Sequence, residues 1–172
     1  MLSGNEPLVR NLLEKGLVSF VKSPVLWVGP FITNYLSAAA CTKNLNMVRI
    51  LLPSFAGPRY IMERSEAFCA LISKHKSDLG VDVMKEILNL GVDMNQRFQD
   101  MPALGTAVRY DNLPAFNFLL SLPTIEGFLN HITPSGDTAL KLALIKNQHY
   151  IAPLLDAGAD ISLGCEEANE VG

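Results

Sequence analysis

Three cysteines and three histidines are the side chains best suited to act as nucleophiles, proton carriers or metal ligands. They are Cys41, Cys69, Cys165, His75, His131 and His149. A cysteine nucleophile needs a base beside it, and a cysteine-based zinc site needs close pairs such as C-x-x-C. No two cysteines have that spacing, and Cys69 and His75, six residues apart, would face different sides of a helix. We expect no catalytic residue and no metal site; a small enzyme using Cys69 or Cys41 is an alternative that a thiol titration tests.

Cofactor and nucleic-acid binding find no support in the sequence. The glycines never form G-x-G-x-x-G or G-x-x-x-x-G-K-[ST], the loops that bind phosphate groups. The formal net charge is −3, and no run of Lys and Arg is longer than two, so no basic face for nucleic acid is expected. The sequence therefore predicts no cofactor and no nucleic-acid partner.

The elements that would position any functional residue belong to a repeat, marked by an apolar doublet that occurs five times. The doublets are Leu12-Leu13, Leu51-Leu52, Ile87-Leu88, Leu119-Leu120 and Leu154-Leu155. Their first members lie 32 to 39 residues apart. A period of this length is typical of architectures whose units stack on their neighbours to bury a continuous core.

A helix is expected to run through each doublet. Seven residues before the doublets stand Asn5, Asn44, Gly80, Asn112 and Asn147. Asn is a strong helix N-cap because its side-chain oxygen accepts from first-turn N–H groups. Gly16, Gly91 and Gly158 are predicted to end three of these helices in the left-handed conformation. Pro153 falls inside the last helix and predicts a kink or a late helix start.

A second, shorter helical pattern precedes each of the last four capping residues. It combines Leu with small residues in the segments 36–40, 67–70, 104–107 and 140–143. Small residues let a neighbouring helix approach closely, and a Leu and an Ala three apart share one face. Each unit is therefore expected to be a helix, a tight turn, a helix and a loop.

The C-terminal unit carries a family resemblance. Residues 135–143 with 154–161, SGDTALKLA and LLDAGADI, resemble an ankyrin repeat, whose opening is G-x-T-P-L-H-x-A and whose closing is L-L-x-x-G-A-D. The earlier units resemble it in degenerate form. The resemblance implies an all-α, ankyrin-like solenoid of stacked helix-turn-helix repeats. It predicts one array over residues 1–163, of about five units with the first partial, and an acidic, frayed tail over residues 164–172.

Two segments depart from the regular repeat. The apolar stretch 17–33 is interrupted by a lysine, two prolines and a glycine, so we expect a buried or partner-facing loop and no membrane insertion. The sequence does not decide whether Trp27, within this stretch, belongs to the core or to an interface. The segment 73–79 is expected to form an enlarged, exposed turn inside the third unit.

The resemblance also implies where a partner would bind, because the family's variable positions line the concave face of the array. The positions carried over to this chain are Phe31, Ile61, Met62, Arg64, Phe98, Met101, Arg109, Tyr110, Asp137 and Lys146. Aromatic, apolar and arginine side chains are enriched at the centre of protein interfaces. The alternative is that some of them fold inward and fill gaps left by degenerate repeats.

The leading hypothesis is a non-catalytic module that binds an unidentified protein partner. The alternative is the recognition segment of a larger enzyme or secreted effector whose catalytic part lies elsewhere, since residues 5–16 supply only half a repeat. No apolar signal segment begins the chain, so a cytoplasmic location is expected, with the nucleus or delivery into a host cytosol left open.

Overall fold

The structure, a computed structural model, describes residues 6–15, 26–28, 31–42, 44–97 and 100–163. The regular elements among these residues are helices apart from one short hairpin, which confirms the all-α class. The chain divides into two compact units, residues 1–93 and residues 94–172. Each has its own buried core.

Unit 1 contains five of the helices and the hairpin. They are α1 (Glu6–Glu14), β1 (Leu26–Val28), β2 (Phe31–Thr33), α2 (Tyr35–Cys41), α3 (Leu45–Leu51), α4 (Ile61–Lys74) and α5 (Asp78–Leu88). Two 3₁₀ turns, Leu52–Phe55 and Pro58–Tyr60, join α3 to α4. Within the residues that the structure describes, the longest helix, α4, has 14 residues, and none could cross a membrane.

The hairpin corrects the prediction of a loop over residues 17–33. Strands β1 and β2 pair antiparallel, with Leu26 opposite Thr33 and Trp27 opposite Ile32. The strand residues are mostly β-branched or aromatic, and such residues favour paired strands. Residues 17–25 lie outside the described part of the chain, as do the side chains of both strands, so the question about Trp27 stays open.

Unit 2 contains the remaining helices. They are α6 (Ala103–Arg109), α7 (Leu113–Leu120), α8 (Glu126–Leu129), α9 (Ala139–Lys146) and α10 (Ile151–Asp156). A 3₁₀ turn, Gln148–Tyr150, leads into α10. Helix α6 packs against α7 and α9, and α9 packs against α10.

Polar side chains cap the N-terminal ends of four helices. The side chains of Asn44 and Asn112 cap α3 and α7, each accepting from the backbone N–H three residues on at 3.1 Å. Asn34 and Thr138 cap the shorter helices α2 and α9 in the same way. Helix α2 contacts α3 in unit 1, and α6 contacts α7 in unit 2.

The predicted helix start at Gly80 is wrong. Helix α5 begins at Asp78, and Ser77 caps it by accepting from the Gly80 N–H at 3.4 Å. A Cβ on Gly80 would lie 2.8 Å from the Cβ of His75, so this glycine allows a close approach of the chain. The exposed turn predicted over 73–79 is also shorter than expected, because α4 continues through Lys74 and His75 is buried.

The predicted late start of the last helix is confirmed. The chain after Asn147 forms a 3₁₀ turn, and α10 begins only at Ile151. Pro153 then stands in the first turn of α10, where its missing N–H leaves no helix bond unmade. The Asn147 side chain does not cap this turn, and its Nδ2 donates instead to the Val108 carbonyl at 2.8 Å.

The doublets face the core mainly through their first residues. Leu51, Ile87, Leu119 and Leu154 are buried. The second residues range from buried to exposed, and both leucines of the first doublet are only half-buried. The glycines that follow two of them, Gly91 and Gly158, have φ angles of 90° and 93°, which confirms the predicted left-handed helix ends; Gly16 lies outside the described residues.

Candidate functional site

The two described cysteines are not placed as nucleophiles. Cys69 is buried in α4, and its burial raises the pKa of the thiol to about 12, with the charges of Glu66 and Asp93 acting in the same direction. Burial also raises the pKa of the half-buried Cys41 thiol, against a lowering by Lys74. Reactive cysteines have a lowered pKa, so these two sites oppose thiolate formation. Cys165 lies outside the described residues.

Cys69 should make the stability of the protein fall at alkaline pH. A thiol that loses its proton near pH 9 when unfolded and near pH 12 when folded stabilises the fold fully below pH 9, and this stabilisation is lost as the pH rises toward 12. We compare the free energy of unfolding of the wild type with that of Cys69→Ala. The difference in favour of the wild type should be about 1 kcal/mol smaller at pH 10 than at pH 8. Urea denaturation of both proteins at the two pH values measures this difference.

A thiol titration provides the matched control. In a Cys165→Ser background, Ellman's reagent should modify Cys41 slowly in the folded protein and Cys69 only after unfolding. Rapid modification of Cys69 in the folded protein, or a pH-independent effect of Cys69→Ala, would contradict the buried thiol.

Histidine 75 acts in packing. The ring is buried, and Nε2 lies 2.7 Å from the carbonyl oxygen of Thr42 and 3.1 Å from that of Ala40. Since a carbonyl oxygen can only accept, Nε2–H is the donor to these carbonyls at the end of α2. His75 therefore joins the start of the α4–α5 turn to the C-terminal end of α2.

Histidine 149 belongs to a small polar cluster in unit 2. Its Nε2 lies 3.2 Å from Asp111 Oδ1, and the buried Tyr150 hydroxyl donates to the same oxygen at 3.0 Å. Burial, together with this bond, raises the pKa of Tyr150. Asp111 has a φ of 53°, a conformation that Asp tolerates better than most residues. Within the described residues no three His, Cys, Asp or Glu side chains are grouped to hold a metal ion.

The structure separates the ten predicted contact residues by exposure. Ile61, Met62, Arg109 and Lys146 are exposed, and Tyr110 and Asp137 are half-buried. Phe98 and the side chain of Phe31 lie outside the described part of the chain. For Arg64 and Met101 the expected exposure is wrong, because their exposed fractions are only 1% and 6%.

Arg64 is buried because it bonds three backbone carbonyls. Its Nη1 donates to Phe55 O at 2.6 Å and to Gly57 O at 2.8 Å, and its Nε donates to Gly91 O at 2.8 Å. Burial lowers the pKa of the guanidinium, but an arginine in a protein stays protonated. Arg64 therefore ties the loop before α4 to the C-terminal end of α5 and makes no surface for a partner.

Met101 is buried because Gly105 leaves it space. A Cβ on Gly105 would lie 3.1 Å from the Met101 sulfur and 3.5 Å from Leu142 Cδ1. Because Gly105 has no side chain, it leaves a gap beside α6. Met101 fills that gap, as the alternative interpretation of the sequence expected for some residues of the set.

The loop held by Arg64 carries an exposed cluster at the start of α4, the Arg59–Met62 segment. The Arg59 guanidinium lies 4.7 Å from the centre of the Tyr60 ring, and its Nη2 donates to the Tyr60 hydroxyl at 2.6 Å. The Tyr60 ring packs edge-on against Phe55, 5.4 Å between centroids. Ile61 and Met62 follow with exposed fractions of 39% and 49%.

A second exposed cluster, the α6–α9 end patch, lies in unit 2 and consists of Arg109, Tyr110, Leu144, Ile145 and Lys146. The bond from Asn147 Nδ2 to Val108 O brings the C-terminal ends of α6 and α9 together. Leu144 and Ile145 have exposed fractions of 51% and 67%. Three predicted residues, Arg109, Tyr110 and Lys146, thus lie at the adjoining ends of α6 and α9, and Leu144 and Ile145 lie in the last turn of α9.

Asp137 lies apart from this patch, in the turn before α9. Its Oδ2 accepts from the Ser135 hydroxyl at 2.9 Å, and its Oδ1 lies 3.3 Å from Lys141 Nζ. The Asp137 carboxylate therefore stabilises the turn that leads into α9.

Two features of these clusters were missed by the sequence prediction. Leu144 stands four residues after Leu140, so the helical period places it on the inner face. In the structure Leu144 is nevertheless 51% exposed, in the last turn of α9. In the sequence, the only indication that Arg59 contacts Tyr60 is that a cation stands next to an aromatic residue.

Comparison with known proteins adds no relative. No protein-family model matches the chain, and no curated protein is significantly similar to it.

Proposed function

We propose that this chain is a non-catalytic, cytoplasmic protein-binding module built of ankyrin-like repeats. It binds a partner protein by surface complementarity, through exposed side chains at the ends and turns of its helices. The exposed clusters of apolar side chains beside arginine and tyrosine are the observation that carries this proposal.

Contacts one repeat apart support the repeat architecture in each unit. In unit 1, Asn44 Nδ2 donates to Glu6 Oε1, 38 residues away, and Asn34 Nδ2 donates to Glu66 Oε2, 32 residues away. In unit 2, the Tyr150 bond to Asp111 spans 39 residues. These separations match the spacing of the doublets, as expected when neighbouring repeats pack on each other.

The composition of the two clusters supports binding. Ile61 and Met62 in unit 1 and Leu144 and Ile145 in unit 2 leave large apolar surfaces in water. Burying such apolar surface against a partner contributes about 25 cal/mol per Å² to the free energy of binding. Each cluster also holds an arginine and a tyrosine, the side chains most enriched among the residues that dominate binding energy.

A double substitution at exposed positions tests the proposal. Immobilised wild-type chain and the variant Met62→Glu with Ile145→Glu are incubated with cell lysate, and retained proteins are quantified by mass spectrometry. We expect at least one protein to be retained by the wild type and reduced about tenfold or more by the variant, because each substitution places a charge where the partner would bury an apolar side chain.

Leu79→Glu is the matched control, since Leu79 is also an exposed apolar residue on a helix but lies outside both clusters. It should retain the same proteins as the wild type, and all three proteins should unfold at nearly the same temperature. The proposal fails if the wild type retains nothing specific, or if the double variant retains the same proteins in the same amounts.

A further inference from the structure

We propose that Met62 is a site of reversible oxidation by peroxides, and that its sulfoxide weakens partner binding at the Arg59–Met62 segment. The effect on binding rests on the proposed function, whereas the oxidation site does not. The basis is the difference in exposure between Met62 and the other methionines that the structure describes.

Met62 is the most exposed methionine in the described part of the chain, with an exposed fraction of 49%. The other four described methionines have exposed fractions of 9% or less; they are Met47, Met84, Met94 and Met101. The sulfur stands near the tip of a methionine side chain. A small oxidant in solution therefore reaches the sulfur of Met62 directly, and reaches those of the buried methionines only when the chain opens locally.

The fold holds Met62 in this exposed position. Met62 is the second residue of the 14-residue helix α4, and the buried Arg64, two residues later, bonds three backbone carbonyls. The Ser65 hydroxyl donates to Ile61 O at 2.6 Å and accepts from the Asp93 N–H at 2.8 Å. The first turn of α4 is therefore anchored around Met62, and the exposure of its side chain does not depend on fraying of the helix end.

Oxidation would change the chemistry of this surface. A peroxide transfers one oxygen atom to the thioether sulfur: the O–O bond breaks, a sulfur–oxygen bond forms, and with hydrogen peroxide the other oxygen leaves as water. The sulfur loses two electrons and the peroxide gains them. The product is a polar sulfoxide in place of a flexible apolar side chain. Methionine sulfoxide reductases reverse the reaction with electrons from a thiol, so the change can run in both directions.

A sulfoxide at Met62 opposes binding because the partner would bury it. Met62 lies beside Ile61, which is 39% exposed, and the two form the apolar part of the Arg59–Met62 segment. A partner that covers this apolar surface also covers the new sulfoxide oxygen, and a buried polar group without a hydrogen bond costs free energy. We expect a loss of affinity of about tenfold, which corresponds to about 1.4 kcal/mol.

Peptide mapping of the full chain tests the oxidation site. The folded protein is treated with dilute hydrogen peroxide, the reaction is stopped with catalase, and the sulfoxide at each methionine is quantified by mass spectrometry. Met62 should be oxidised about tenfold faster or more than the four buried methionines, and in urea all five should be oxidised at similar rates. The oxidation site is overturned if Met62 in the folded protein reacts no faster than the buried methionines.

Lysate capture before and after oxidation tests the effect on binding. The oxidised wild type is treated with dithiothreitol, which reduces oxidised cysteines and leaves the sulfoxide in place. It should then capture about tenfold less of the proteins that the untreated wild type retains, and a methionine sulfoxide reductase should restore the capture. Unchanged capture after oxidation of Met62, or a loss that the reductase does not restore, overturns the effect on binding.

A variant that moves the exposed methionine is the matched control. Met62→Leu with Leu79→Met places it at the second residue of α5, where Leu79 is 63% exposed and lies outside both clusters. The new methionine should be oxidised as readily as Met62, but the capture by this variant should be the same before and after oxidation. An equal loss in the control also overturns the effect on binding. If the wild type retains no specific protein, the proposed function fails and the effect on binding fails with it, while the peptide mapping still judges the oxidation site.

Discussion

Replacing Arg64 by methionine is expected to lower the free energy of unfolding by about 3–5 kcal/mol. Methionine matches the arginine side chain only as far as Nε and removes the donors to the carbonyls of Phe55, Gly57 and Gly91. Gly57 O still accepts from the Tyr60 N–H at 3.1 Å, whereas Phe55 O and Gly91 O lose the arginine donor. An unsatisfied buried carbonyl costs about 1–3 kcal/mol, and part of the total is offset because the buried charge is also removed. Urea denaturation followed by circular dichroism measures the change.

Arg59→Met is the matched control, because Arg59 is an exposed arginine of the same loop whose guanidinium contacts the Tyr60 ring and hydroxyl. Its loss should cost about 1 kcal/mol or less, the range for an exposed cation–π pair. Arg64→Lys should fall between the two, since one ammonium group cannot reproduce the planar set of donors. Equal stabilities of Arg64→Met and Arg59→Met would show that Arg64 does not hold the loop.

Replacing Met101 by aspartate is expected to destabilise unit 2 by about 3 kcal/mol or more. The side chain is 6% exposed and lies against Gly105, so an aspartate would be buried without a partner or would have to expose the site. The melting temperature by circular dichroism should fall by roughly 10 °C or more. A variant at this position therefore cannot be used to test binding, since any loss of binding would follow from loss of structure.

Met101→Leu and Tyr110→Asp distinguish the effect of lost core packing from the effect of a substitution near the surface. The leucine keeps the volume and should cost less than about 1.5 kcal/mol. Tyr110 is half-buried, so an aspartate there should cost less than at Met101. If Met101→Asp melts within a degree or two of the wild type, Met101 is not part of the core.

Much of the helical architecture could be predicted from the sequence because it depends on short-range chemistry. The Asn44 and Asn112 caps, the left-handed Gly91 and Gly158, and the late start of α10, with Pro153 in its first turn, each involve residues within one or two turns. The side chain and the backbone group that it satisfies are neighbours in the chain. Such signals can therefore be recognised in the sequence without knowledge of the rest of the fold.

Errors arose where a local signal competed with a contact from elsewhere. Gly80 occupies the expected capping position, but Ser77 caps the helix and the glycine lies against His75. The predicted loop over 17–33 contains a hairpin, because the residues of both strands are mostly β-branched or aromatic and such residues favour paired strands. In both cases the residue types fitted more than one local structure.

The candidate site was predicted only in part, and the reason is burial. Ile61, Met62, Arg109 and Lys146 are exposed as expected, but a variable position in a repeat says nothing about whether its side chain turns outward. Whether these residues bind a partner stays a prediction.

By itself, the sequence determined the period, the helix pairs and most of their ends, because caps, prolines and doublets act over a few residues. Only the tertiary structure decided which long side chains belong to the core. Arg64 is buried where it donates to a carbonyl 27 residues away, and Met101 is buried where it fills the space beside Gly105 and Leu142. Burial depends on what fills the volume around a side chain, and that volume is formed by segments distant in the chain.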